Sequence, residues 1–251
     1  MRDETVLAYC NLFGVLGAIP TLIRTDAEAA ALVAKKKLSI GFLIKGGPRG
    51  TLILDRESSE MRHGLCSPDI KLYFSSCKKF NDMIDGKGSP LPISGFWHIG
   101  FLLGGFSKLT DLLSAYLRPA KEALADPAFF ERSTVLMLHV IAAAVAEIGN
   151  HDRVGRFSAS NIVDGVIRVS IADRYAVAVR AEGHHLTVLH DAPAECFSEM
   201  QFDSLETARD LFDGKINAVA AVGMGKVRIG GMISQVDNVN RILDRVSLYL
   251  A

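Results

Sequence analysis

Hydrophobic and polar positions change period several times along the 251-residue chain. Residues 4–23 are apolar enough for a helix that Pro20 kinks or ends, and Asp26 then opens an Ala-rich helix to about Lys36. From Leu38 the spacing becomes that of strands. Ile40 to Ile44, Thr51 to Leu54, Glu60 to Cys66 and Ile70 to Phe74 read as four short strands joined by turns, an antiparallel meander. Ser75 is placed to cap a helix carrying Phe80, Met83 and Ile84, which Gly86 ends.

The Gly- and Pro-rich residues 88–95 lead into the most apolar stretch of this half, Phe96 to Phe106. Ser107 is then placed to cap a helix with Leu109, Leu112, Leu113 and Tyr116 on one stripe. Beyond the charged, Ala-rich residues 119–127, Asp126-Pro127 opens a long helix to about Glu147. It is apolar nearly all round apart from His139, which places it in a core or at a contact between domains. Strand spacing then returns at Val166 to Ile171, Tyr175 to Arg180, His185 to Leu189 and a segment ending near Phe202. Asp203 with Glu206, and Ser234 with Asp237, fit capping patterns. Val236, Val239, Leu243, Val246 and Leu250 step by three and four, giving the last helix one apolar face.

The two halves match at an offset of 128 residues: Phe74 with Phe202, Asp85-Gly86-Lys87 with Asp213-Gly214-Lys215, Gly95 with Gly223, Ile99 with Val227 and Phe101 with Ile229. Solenoid units span only about 20 to 50 residues, so this period implies one domain type built twice, over residues 1–120 and 121–251. Formal net charge is zero, which leaves no electrostatic footprint for nucleic acid. No uninterrupted apolar run reaches the roughly 18 residues of a membrane span. Acidic Asp3 and Glu4 argue against a signal sequence. Cys10, Cys66, Cys77 and Cys196 form no Cys-x-x-Cys pair, as expected of reduced thiols in a soluble cytoplasmic protein.

Ala208 to Val222, Gly225-Lys226-Val227-Arg228-Ile229-Gly230-Gly231 and the amphipathic helix after them resemble the sterol carrier protein type-two family of nonspecific lipid-transfer domains. The resemblance is good over residues 155–250 and fair over 38–118, where Phe96 to Phe101 stands in place of the family's last strand and Pro90 and Pro92 interrupt what precedes it. It implies an α+β fold: two tandem α/β-sandwich domains, each a mostly antiparallel sheet of about five strands covered by helices. It further implies an apolar tunnel for a lipid, fatty acyl or sterol-like ligand, and no catalytic residues. Apolar pattern and tunnel position together select Phe212, Met224, Val227, Ile229, Met232, Val236 and Leu243 in the second copy, and Trp97, Phe101, Phe106, Leu109 and Leu113 in the first. The expected partner is a hydrophobic small molecule, with at most transient membrane contact and no cofactor or metal. The alternative is a non-catalytic interaction scaffold or pseudo-dimer with filled cores.

Other motifs point less far. Gly46 to Gly50 lies between strands and reads as a hairpin turn, not a phosphate loop. His184, His185 and His190, near Asp191 and Cys196, have no equivalents in the first copy. His98 and His139 read as hydrogen-bonded core histidines. Phe96, Trp97, Phe101 and Phe106 are either packed core or an exposed patch touching a membrane or a partner, and their exposure separates the two.

Overall fold

The computed structural model describes residues 2–33, 37–88 and 90–250; the expected helix end near Lys36 lies outside them. The chain divides into two compact units, Met1–Leu124 and Ala125–Ala251.

Unit 1 begins with a helical segment made of α1 (Glu4–Tyr9), a π-helical turn (Cys10–Val15), a 3-10 turn (Leu16–Ala18) and α2 (Ile19–Thr25), followed by α3 (Ala27–Val33). Asp3 caps α1 by accepting from the Thr5 and Val6 N–H groups. Pro20 sits in the first turn of α2, where a missing N–H breaks no helical bond. The sheet comprises β1 (Leu38–Ile44), β2 (Arg49–Leu54), β3 (Glu60–His63), β4 (Ile70–Phe74) and β5 (Leu91–Ser94), in the order β3-β2-β1-β4-β5. Helices α4 (Cys77–Ile84), α5 (Ile99–Phe101) and α6 (Ser107–Leu117) complete the unit.

The four-strand meander is thus corrected: β4 pairs in parallel with β1, not with β3. As the most deeply buried strand of the sheet, β1 needs a neighbour on each edge to satisfy its backbone groups. The link 64–69 carries the chain across it. A Cβ on Gly41 would stand 2.4 Å from Pro68 Cγ, so the crossover passes over β1 where it has no side chain. The helix cap is Ser76, one residue after the expected Ser75, accepting from the Lys79 N–H. Ser107 caps nothing, because α6 continues from a π-helical turn, Leu102–Phe106.

Unit 2 opens with α7 (Pro127–His151), capped by Asp126, and α8 (Arg153–Ala159), capped by Asp152. Strands β6 (Gly165–Ile171), β7 (Tyr175–Glu182), β8 (His185–Leu189), β9 (Ser198–Phe202) and β10 (Val227–Gly231) lie in the order β10-β9-β6-β7-β8, again with one parallel pair, β6 with β9. Helices α9 (Leu205–Phe212), α10 (Ala218–Gly223), α11 (Ile233–Leu243) and α12 (Val246–Leu250) complete it. Ser204, not Asp203, caps α9, and Ser234 lies inside α11: the residue before its first turn is Met232, whose N–H donates to Ser198 Oγ at 3.0 Å.

The two sheets have the same strand order and sense, read from opposite ends. The offset is 128 residues from β4 through α4, but 127 across the central strand, since Ile44 faces Phe74 where Ile171 faces Phe202. At the last strand it grows to 136. Gly95 (φ 82°) and Gly231 (φ 78°) are the matching pair: a Cβ on either would stand 2.2 Å from a backbone oxygen, that of Asp69 or of Phe197. The expected pairs Gly95–Gly223, Ile99–Val227 and Phe101–Ile229 are therefore displaced, because unit 2 inserts α10 before its last strand. Ile99 and Phe101 are helical, and unit 1's fifth strand is Leu91–Ser94.

Glu4–Thr25 and Pro127–His151 are long and apolar enough to cross a bilayer by length and composition, but their most apolar windows are 83% and 61% buried inside the protein. Packing against the protein's own elements accounts for that apolarity.

Candidate functional site

In unit 1 the space between sheet and helices is filled by rings. Phe80 on α4 meets Phe42 of β1 (centroids 6.3 Å) and Phe74 of β4 (5.1 Å), both edge-on, and all three are buried. Leu12 and Phe13 press onto β2 so closely that a Cβ on Gly50 would stand 3.1 Å from each.

Unit 2 places smaller side chains at the matching positions. Opposite Met200 on the parallel neighbour, where unit 1 has Phe42 opposite Leu72, stands Val169. Four residues after the cap of α9, where unit 1 has Phe80, stands Ala208. Beside Val169 lies a cavity of about 30 Å³, on whose wall the Phe212 ring meets Phe202 edge-on at 5.8 Å. Its helical walls are Leu138, Ile141, Ala142 and Val145 of α7, Phe212 of α9, and Val236, Val239 and Leu243 of α11. Its floor is Ile167 and Val169 of β6, Val179 of β7, and Met200 and Phe202 of β9. Every lining residue is apolar. The spacings explain why: on α7 and α11 the lining residues recur at three and four, one helix face, and on the strands at two, one sheet face.

Polar anchors hold α11 over this cavity at both ends. At its start, buried Gln235 donates from Nε2 to the Val163 carbonyl (2.6 Å) and accepts from Ser198 Oγ (2.6 Å). Beyond its end, Asp152 accepts from Arg245 Nη2 (2.8 Å) and the Tyr249 hydroxyl (2.6 Å). Burial alone would raise the Asp152 pKa, but the hydrogen bonds from Arg245, Tyr249 and the Gly155 N–H outweigh it and bring it to about 2. Burial, together with the Asp152 carboxylate, pushes the Tyr249 hydroxyl up to about 12.

Of the residues selected from sequence, Phe212, Val236 and Leu243 line the cavity. Val227 is buried elsewhere, Met232 is half-buried, and Met224 and Ile229 are 57% and 40% exposed, because α10 and β10 form the outer edge of the unit. In unit 1, Phe106, Leu109 and Leu113 are core, Phe101 is half-buried against Gly105, and Trp97 is 91% exposed. The strand residues and the α7 stripe escaped selection. Their signal was present as alternation on β6 and β9 and as the i, i+3, i+4, i+7 series from Leu138.

The histidines lie apart from the cavity. His184 occupies a hairpin turn (φ 67°) and His185 starts β8, paired with Glu182. His139 and His190 meet Nδ1 to Nδ1 at 3.1 Å. Among the described residues no group of three or more His, Cys, Asp or Glu is placed to hold a metal ion.

No family model matches the chain, and no curated protein matches it. Solved structures are similar to part of it. The sterol carrier protein domain 2 of Helicoverpa armigera is 15% identical, with a TM-score of 0.36, over 44% of this chain and 88% of its own. Sterol carrier protein 2-like 2 of Aedes aegypti is 17% identical, with a TM-score of 0.33, over 43% of this chain and 95% of its own. A UbiJ-SCP2 ubiquinone synthesis protein is 14% identical, with a TM-score of 0.33, over 42% of this chain and 94% of its own. These structural neighbours of the chain are sterol carrier protein 2 domains.

Proposed function

We propose that the chain is a tandem pair of lipid-carrier-like domains whose second unit receives the apolar part of a lipid or fatty acyl ligand, with no covalent chemistry. The observation that carries this reading is the cavity of unit 2, walled only by apolar side chains, with Val169 on its wall at the position where unit 1 has Phe42. Its volume sets a condition. At about 30 Å³ it is far below the roughly 300 to 1,000 Å³ of ligand pockets, so binding requires α11 or α9 to yield. Each buried CH₂ contributes about 0.8 kcal/mol, so a chain of about ten offsets several kcal/mol of opening.

The test introduces the plug of unit 1 into unit 2. Val169→Phe is expected to lower the affinity for a fluorescent fatty acid at least tenfold while leaving thermal stability unchanged or raised by about 1 kcal/mol. Equal binding by parent and variant, or a parent that binds no fatty acid and carries no lipid in native mass spectrometry, overturns the reading. The ring-filled interior of unit 1 favours the second reading, a filled scaffold, for that unit alone.

A further inference from the structure

From Phe96 to Phe106 unit 1 is continuously helical, and both faces of the helix are apolar. Leu102 and Phe106 turn inward and are buried, in series with Leu109 and Leu113 of α6. On the other side Phe96, Trp97, Ile99 and Leu103 are between 45% and 91% exposed, and on the adjoining edge strand β5 so are Leu91 and Ile93. Exposed apolar side chains in such a run mark an interaction surface.

We propose that this surface docks on a lipid membrane, with Trp97 and Leu103 entering the boundary between headgroups and acyl chains. Charge selects this occupant. No Asp, Glu, Lys or Arg falls between Lys87 and Lys108, so the run can leave water without desolvating a formal charge. The two exposed lysines at its borders complement anionic headgroups. Lys87 is also 4.0 Å from Asp85, a solvent-exposed contact too weak to withhold it. Backbone chemistry agrees. Lipid favours segments whose N–H groups are satisfied internally, and from His98 onward they bond within the helical turns, His98 N–H to the Gly95 carbonyl at 2.9 Å and Ile99 N–H to that of Phe96. A second copy adding its strand to the edge is disfavoured, since Pro92 removes a donor from β5 and Pro90 stands immediately before it. Tryptophan is suited to the interface, with an apolar ring and one polar N–H.

Trp97 is the sole tryptophan, so its fluorescence reports this surface directly. The full chain is mixed with phosphatidylcholine vesicles, with and without phosphatidylserine. The expected result is a blue shift and protection from acrylamide quenching, stronger with phosphatidylserine and weakened by salt. Trp97→Ala and Leu103→Asp should reduce vesicle co-flotation at least about tenfold with unchanged circular dichroism, and Trp97→Phe should restore most of it. An unshifted emission, flotation unaffected by Trp97→Ala, or a blue shift that follows protein concentration without vesicles, which would mean self-association, overturns the proposal. Val169→Phe should float like the parent, so failure of fatty acid binding and failure of membrane docking are separately visible.

Discussion

Where unit 1 packs the Phe42 ring against Phe80, unit 2 has Val169 on the wall of its void. A dry void forfeits dispersion contacts on one side of every lining atom, so enlarging it costs stability in proportion. Met200→Ala is expected to destabilise unit 2 by about 2 to 4 kcal/mol in thermal or urea unfolding. The same variant should bind a small apolar probe such as benzene or xenon that the parent excludes. A loss of stability without any probe binding would mean that the site collapses, and that the walls cannot hold the space a ligand needs. The site was partly legible at this scale. Phe212, Val236 and Leu243 were selected by apolar pattern together with the tunnel position that the resemblance implies, whereas Val169 was not. Only its register opposite Met200 shows that it stands where unit 1 has a ring.

Helix α11 is held at its two ends and presents the apolar Val236, Val239 and Leu243 to the cavity, which makes its anchors the natural control on access. The Asp152 cluster carries the clearest titration. Its carboxyl pKa is depressed from 3.8 to about 2, so its contribution is fully present above about pH 4 and is lost as pH falls through about 2. The shift corresponds to about 2 kcal/mol. Acid unfolding of the parent should therefore show a loss of that order between about pH 4 and 2, and Asp152→Asn should remove this component from the pH profile. Because breaking one partner strands the other, the same variant should cost about 3 to 5 kcal/mol at neutral pH, read by urea unfolding. Arg245 lies between α11 and α12 and Tyr249 lies on α12, so the effect reaches α11 without touching a lining residue. Caps at this scale were legible only to within a residue. Ser75 and Ser76 both have the chemistry, and only the backbone path places Ser76 with extended φ and ψ before the first turn.

For the whole chain, the division into Met1–Leu124 and Ala125–Ala251 leaves an exposed stretch with Lys121 on it, Arg118 being shielded from trypsin by Pro119. Brief trypsin digestion is expected to cut there first, giving two fragments near half the chain length that each resist further cleavage; early cuts inside a sheet would refute two self-contained cores. The sequence by itself marked the first four strands of each unit, the internal repeat and the apolar face of each covering helix, because period and turn chemistry are local properties of the chain; it missed β5, whose Pro-rich residues carry no strand period. It also marked Phe96 to Phe106 as unusual without deciding between core and surface. Tertiary structure alone decided three things: that β4 and β9 run parallel beside the central strand, that Gly95 matches Gly231 across an inserted helix, and which apolar residues are covered. Pairing partners and burial depend on what a distant segment brings alongside. Trp97 and Phe106 read alike along the chain, and only packing leaves one in solvent and the other in the core.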